Sequence, residues 1–262
     1  MIGVANSNPG AVRQAEPVAE LVGIFKTYTL GTVEVPVLRG IDLLVRPAHF
    51  TVLLGPSGSG KTTLLNLIGC IDRPDSGDVL VAGQSVNALT DDALADFRAR
   101  HIGFIFQNFN LLPVLSAYEN VEYPLVLAGA SARVRADRVP KLLEAVGLAD
   151  RARNLPGQLS GGQRQRVAIA RALATKPKLV IADEPTANLD TQTGAAILSL
   201  MRQMQRRYNI SFLFSSHDRA VMRAADDAII IQDGVIRAVR RRRVAPGEAL
   251  PPEAPSAAEA ES

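Results

Sequence analysis

The sequence predicts an α/β fold. Its core is a mostly parallel sheet with helices on its faces, accompanied by an antiparallel β subdomain and an inserted helical subdomain. Short apolar runs bounded by turn residues recur at Phe50–Gly55, Ile102–Gln107, Lys178–Asp183, Ile210–Ser216 and Asp227–Gly234, and read as buried strands. Helical patterns separate them, notably Thr62–Cys70, Gln163–Ala174 and Gly194–Tyr208, which is the alternation of a parallel sheet. Two regions break it: residues 21–46 and 77–83 read as short antiparallel strands, while 108–158 hold only loop and helix.

Taken in order, residues 1–18 are small, polar and proline-containing, and are expected to be disordered. The stretches "ELVGIFKTYT", "VPVLRGIDLLV" and "GDVLVAG" supply the antiparallel subdomain. The folded domain is expected over 19–240, with the helical insert at 108–158. The tail, 241–262, is rich in Pro, Ala and Glu and has nothing to bury, so disorder is expected again. The run Arg240–Arg243 reads as a solvated linker offset by the acidic tail; contact with anionic lipid is the other reading.

A net charge of +3 over 262 residues is too small to argue for a nucleic-acid partner. The one cysteine, Cys70, excludes an internal disulfide, suits a reducing compartment and lies in apolar "LLNLIGCID", as a buried inert thiol would. No stretch reaches the ~18 apolar residues of a membrane span, and the start lacks the pattern of a secretory signal. A cytoplasmic chain is expected, reaching a membrane only through a partner.

Gly55–Thr62 reads "GPSGSGKT", directly after a strand and before a helix. This is G-x-x-x-x-G-K-[ST] in its required context. Glycines let backbone N–H groups turn inward onto phosphates, and the following helix adds the positive end of its dipole. Gly55, Pro56, Ser57, Gly58, Ser59, Gly60, Lys61, Thr62 and Thr63 are therefore candidate nucleotide contacts, with Lys61 for the β/γ-phosphates and the Thr62 hydroxyl for Mg²⁺. Kinases, GTPases and ATPases all remain open at this point.

"LVIADEP" places Asp183 and Glu184 at the C-terminal end of a buried strand, where open α/β sheets bind ligands. There Asp183 suits a water-mediated Mg²⁺ contact and Glu184 the polarisation of an attacking water. A guanine-reading N-K-x-D is missing, and the acid pair fits hydrolysis better than transfer.

A helix starting "LSGGQRQRVAIARAL" opens on Ser160-Gly161-Gly162, although glycine costs about 1 kcal/mol relative to alanine inside a helix. A serine cap without obstructing Cβ atoms makes a second anion site. With this "LSGGQ", the phosphate loop and "ADEP" at fitting distances, the chain over residues 20–238 resembles the ATP-binding-cassette ATPases. The resemblance implies a P-loop NTPase (RecA-like) core. It also implies a homodimer of cassettes paired head to tail, with Ser160, Gly161, Gly162 and Gln163 meeting ATP held by the other copy. Tyr28 matches the aromatic that stacks on adenine, and Gln107 the glutamine that touches Mg²⁺ and the attacking water. Asp190 matches the loop lining the dimer seam, and His217 the histidine that bonds the γ-phosphate. His49 and His101 have no such placement and are expected at the surface. Where the family has Gly-Glu before the strand leading into the phosphate loop, this chain has Ala48-His49, which strains Ala48 if that turn needs a positive φ.

Finer likeness in "FIFQNFNLLPVLSAYENVEYPL" and "SSHD" is to the branch serving lipoprotein-release, macrolide-export and cell-division membrane complexes. It implies an integral membrane permease-like partner, peripheral attachment at the inner face of the membrane, and docking on the stretch after Gln107. Phe109, Leu111, Leu112 and Pro113 either pack inside the insert or line a groove for a partner helix. The expected function is ATP hydrolysis that opens and closes a cassette dimer and drives export or extraction. A regulatory cassette that signals without transport is the alternative, and a soluble cassette acting on DNA or ribosomes ranks third, because it usually brings a coiled coil or a second cassette.

Overall fold

The computed structural model describes residues 16–242. Most of the two segments expected to be disordered, 1–18 and 241–262, lies outside the described residues. The described chain runs β1 (Ala19–Leu30), β2 (Val33–Val45), β3 (Phe50–Leu54), α1 (Lys61–Ile68), β4 (Ser76–Val81), β5 (Gln84–Ser85), α2 (Asp91–His101) and β6 (Ile102–Ile105). It continues through α3 (Ala117–Leu127), α4 (Ala132–Ala145), α5 (Gly161–Ala172), β7 (Leu179–Ala182), α6 (Thr191–Tyr208), β8 (Ser211–Ser216), β9 (Asp227–Gln232) and β10 (Val235–Arg241).

The larger sheet has the order β10-β9-β3-β8-β7-β6. Every pairing from β9 to β6 is parallel, and β10 closes the other edge antiparallel to β9. Strands covered on both faces carry no polar alternation, and β3, β7 and β8 are buried at every position. One face sets Phe50, Val52, Phe212 and Phe214 against α5, α6 and the helical insert; the Phe50 and Phe214 rings meet at 4.6 Å. The other sets Leu53, Leu213, Ile181 and Ile229 against α1 and the smaller sheet, β2-β1-β4-β5, which is antiparallel throughout. Because β3, β6, β7 and β8 run parallel, the turns that follow them open on one edge. Those turns carry the phosphate loop, Gln107, Asp183-Glu184 and His217.

The expected strands and helices form within a few residues of their predicted limits, and 108–158 holds α3, α4 and two single-turn 3-10 helices without a strand. Three elements are additional. Helix α2 buries only Leu94 and Phe97 of its charged sequence, too few for a helical period to stand out. Strand β5 spans two residues. Strand β10 places Arg240 and Arg241 on an exposed sheet edge, which corrects the linker reading for those two residues; Arg243 lies outside the described residues. Gln107 lies in the turn beyond β6 and does not end the strand. Ala48 does adopt a positive φ, 52°. Its N–H donates to Ser211 Oγ at 2.9 Å and its carbonyl accepts from Gln205 Nε2 at 2.7 Å, so packing holds the turn without glycine. His49 and His101 are half-buried and not surface residues: His49 Nδ1 lies 2.6 Å from the Pro47 carbonyl, and the His101 ring meets Phe97 at 4.5 Å. Cys70 is buried, and burial pushes its thiol up to about 11.

Candidate functional site

The loop after β3 turns sharply at Gly58 (φ 76°) and Gly60 (φ 101°) before α1 begins at Lys61. A Cβ on Gly60 would lie 2.9 Å from Leu38 Cδ2, so both the left-handed backbone and the close approach of β2 require glycine there. Gly60 is also the N-cap, and no side chain satisfies the first N–H groups of α1. Lys61 is buried, its ammonium folded over its own loop and donating to the Gly55 carbonyl at 2.8 Å and the Pro56 carbonyl at 3.0 Å. Ser59 Oγ is buried without a hydrogen-bond partner. Uncapped N–H groups, a buried cation and an unsatisfied hydroxyl at one helix start fit a polyanion with several acceptor oxygens. Ser57 and Thr63 flank this cradle.

Facing it, Asp183 and Glu184 follow β7. Thr62 Oγ1 donates to Asp183 Oδ2 at 3.0 Å, and Ser215 Oγ, from fully buried Ser215, donates to Asp183 Oδ1 at 2.6 Å. Ser215 Oγ also accepts from the Glu184 N–H at 2.8 Å. That contact holds Glu184 left-handed at φ 44°, a conformation unfavourable for glutamate. Glu184 Oε2 lies 3.2 Å from His217 Nδ1, the glutamate mostly covered and the histidine exposed. Thr62 and Asp183 thus offer a hydroxyl and a carboxylate, hard oxygen donors that suit Mg²⁺ shared with a phosphate chain. Among the described residues no three His, Cys, Asp or Glu gather into an all-protein metal site.

The remaining predicted residues lie on other elements. Tyr28, on β1, is half-buried; its hydroxyl donates to Asp72 Oδ2 at 2.7 Å and Lys26 Nζ sits 5.1 Å from its ring centroid. Burial and the Asp72 bond push its phenol up. Ser160 caps α5 in a reciprocal box: its Oγ accepts from the Gln163 N–H at 3.3 Å, and its N–H donates to Gln163 Oε1 at 2.9 Å. Part of the reason for the glycines is internal, since a Cβ on Gly162 would stand 2.7 Å from Thr193 Cγ2 of α6. Asp190 caps α6 by accepting from the Thr193 N–H at 2.9 Å, and the Thr193 contacts hold its carboxyl below the ordinary range. Among the described residues, the hydrogen bonds of Ser160 and Gln163 stay within their own helix start and do not reach the phosphate loop.

Sequence reasoning missed the supports. Ser215 joins both acids, and fully buried Gln165 donates to the Pro185 carbonyl at 2.6 Å. Two serines closing the apolar strand "ISFLFSS" at its ligand end were the available signal for Ser215; Gln165 had none. The four apolar residues after Gln107 divide between their two readings. Phe109 is half-buried and Leu111 packs against the core, whereas Leu112 and Pro113 are exposed.

The sequence model of the ABC transporter family matches residues 38–187. The chain belongs to that family. It is an ATPase, as the family's cassettes are, and the P-loop NTPase fold is that of its structural neighbours. An uncharacterized ABC transporter ATP-binding protein of Thermotoga maritima is 48% identical over 88% of this chain and 98% of its own length. The lipoprotein-releasing system ATP-binding protein LolD of Anaeromyxobacter dehalogenans is 50% identical over 85% of this chain and 93% of its own. The macrolide export ATP-binding/permease protein MacB of Rhodopirellula baltica is 48% identical over 86% of this chain, which spans only 33% of that longer protein. Among solved structures, a dimeric ATP-binding cassette in a post-hydrolysis state with ADP and Pi superposes with a TM-score of 0.79 at 39% identity, covering 86% of this chain and 99% of that one. These likenesses place the chain in the lipoprotein-release and macrolide-export branch.

Proposed function

We propose that this chain, through a cassette spanning 19–240, is the ATP-hydrolysing subunit of a membrane ABC complex. ATP is held by Tyr28 and the 55–63 loop, with Mg²⁺ on Thr62 and Asp183 and within reach of Gln107. Glu184 takes the proton of the attacking water, and His217 orients that carboxylate and bonds the γ-phosphate. Ser160, Gly161, Gly162, Gln163 and Asp190 complete the site of a second copy; binding closes the dimer and hydrolysis reopens it. The observation that carries this reading is the continuous chain of contacts Thr62–Asp183–Ser215–Glu184–His217. Support for pairing comes from the dimeric solved relative, and from the serine-capped, glycine-rich start of α5, which has the makings of a second anion site.

No helix among the described residues is long and apolar enough to cross a membrane. In this reading, attachment at the inner membrane face is through a permease-like partner. Exposed Leu112, Val114, Tyr123, Val126 and Leu127 on the helical insert offer such a partner an apolar surface. The deciding experiment is Glu184→Gln with MgATP. It is expected to bind ATP at near wild-type affinity, turn over at least 100-fold more slowly, and accumulate as a dimer in size-exclusion chromatography. A monomeric variant with wild-type turnover would refute the assignment.

A further inference from the structure

The turn that carries Gln107 is held from two directions by side chains given no part above. On one side is Asn188, an exposed residue between Glu184 and α6. Its Nδ2 donates to the Gln107 carbonyl at 3.1 Å and to Asn108 Oδ1 at 2.8 Å. On the other is Arg171, in the last turn of α5. Its guanidinium spreads over two successive carbonyls, those of Phe109 at 2.8 Å and Asn110 at 2.5 Å. Both of those residues are left-handed, with φ 62° and 47°, and neither is glycine. Two consecutive residues in that region persist only where their surroundings over-determine them. Arg164, from the first turn of the same helix, supplies a further restraint by lying 5.1 Å over the Phe109 ring.

We propose that Asn188 and Arg171 are positioning residues that jointly clamp this turn and fix where Gln107 stands for the hydrolytic step. The inference rests on the role given to Gln107 above. Its physical content is that a strained turn has no intrinsic preference for its observed shape and takes that shape from what grips it. The two grips come from the segment running to Asp190 and from the helix beginning at Ser160. These are the elements assigned to the second copy, so Gln107 is held by parts that also meet the partner's nucleotide.

Asn188→Asp is isosteric, but it removes both donors and sets a carboxylate oxygen against two acceptors. Arg171→Lys keeps the charge and most of the stem yet cannot bridge both carbonyls. The test measures kcat and KM for ATP in both variants, in Gln107→Ala, and in the Asn188→Asp/Gln107→Ala double variant, with thermal unfolding alongside. We expect kcat to fall about tenfold in each clamp variant with KM within about twofold. Because the clamp acts through Gln107, Asn188→Asp should add less than about twofold in the Gln107→Ala background. Wild-type kcat in Asn188→Asp or Arg171→Lys, or full multiplication in the double variant while Gln107→Ala is itself slow, overturns the clamp and leaves the role of Gln107 standing. Wild-type kcat in Gln107→Ala overturns that role and the clamp together. Asn188 is exposed, so its variant carries the test even if Arg171→Lys folds poorly.

Discussion

Replacing Ser215 by alanine tests the site at the point where its two acids are joined. The side chain is fully buried, so no water takes the place of the lost hydroxyl. Asp183 loses a donor at 2.6 Å and the Glu184 N–H loses its acceptor at 2.8 Å. A hydrogen bond to a charged group contributes about 1.5–3 kcal/mol and one between neutral groups about 0.5–1.5 kcal/mol, which together give roughly 2–4.5 kcal/mol. At 1.36 kcal/mol per factor of ten, full expression of that loss in the barrier slows turnover about 30- to 2,000-fold. Part of it relaxes as Glu184 leaves its left-handed conformation, so the lower half of that range, about 30- to 300-fold, is expected for kcat. Phosphate release at saturating MgATP measures it, with a fluorescent nucleotide to confirm binding. Ser216→Ala is the control: Ser216 Oγ accepts from the Asp218 N–H at 3.1 Å and meets neither acid through a hydrogen bond. Turnover of Ser215→Ala within threefold of wild type would refute the claim that this hydroxyl sets the geometry of the acid pair.

Two further variants test the scaffold. Asp226 accepts from the Phe50 N–H at 2.8 Å and forms a bidentate pair with Arg202, both side chains mostly covered. Asp226→Asn should therefore cost about 3 kcal/mol or more in denaturant unfolding. Burial pushes the Asp226 carboxyl up, but Arg202 and the Phe50 N–H outweigh it and hold the group below the ordinary carboxylate range. Its stabilisation is thus fully present above about pH 4 and is lost as pH falls further, so the acid limb of the stability curve should flatten in the variant. Gly162→Ala sets overpacking of about 1–3 kcal/mol against Thr193 beside a helix-propensity gain of about 1 kcal/mol. A net loss near 1 kcal/mol should appear as a lowered Tm. A raised Tm would show that α6 yields at no cost.

How far the sequence reached depends on the range of the interaction involved. The core strands were legible because burial on both faces leaves an uninterrupted apolar run, and the phosphate loop because its glycine spacing and adjoining helix are consecutive in the chain. That Asp183, Glu184 and His217 come together was legible for a related reason: parallel strands bring their C-terminal ends to one edge, whereas the role expected of His217 came from the family resemblance. Helix α2 and β10 were missed because little of either is buried, and periodicity reports only burial.

What only the tertiary structure decided was contact between segments far apart in the chain. Ser215 joins Asp183 to Glu184 from 32 and 31 residues away. Gly162 is required in part by Thr193 of its own chain, although its position at a helix start reads as an anion site. The grip on the turn after Gln107 comes from Arg171 and Asn188, which the sequence sets far beyond it. Local order in a chain fixes the period of burial and the geometry of a loop. Which distant donor reaches which carbonyl depends on how sheets and helices stack, and that is settled only when the whole core packs.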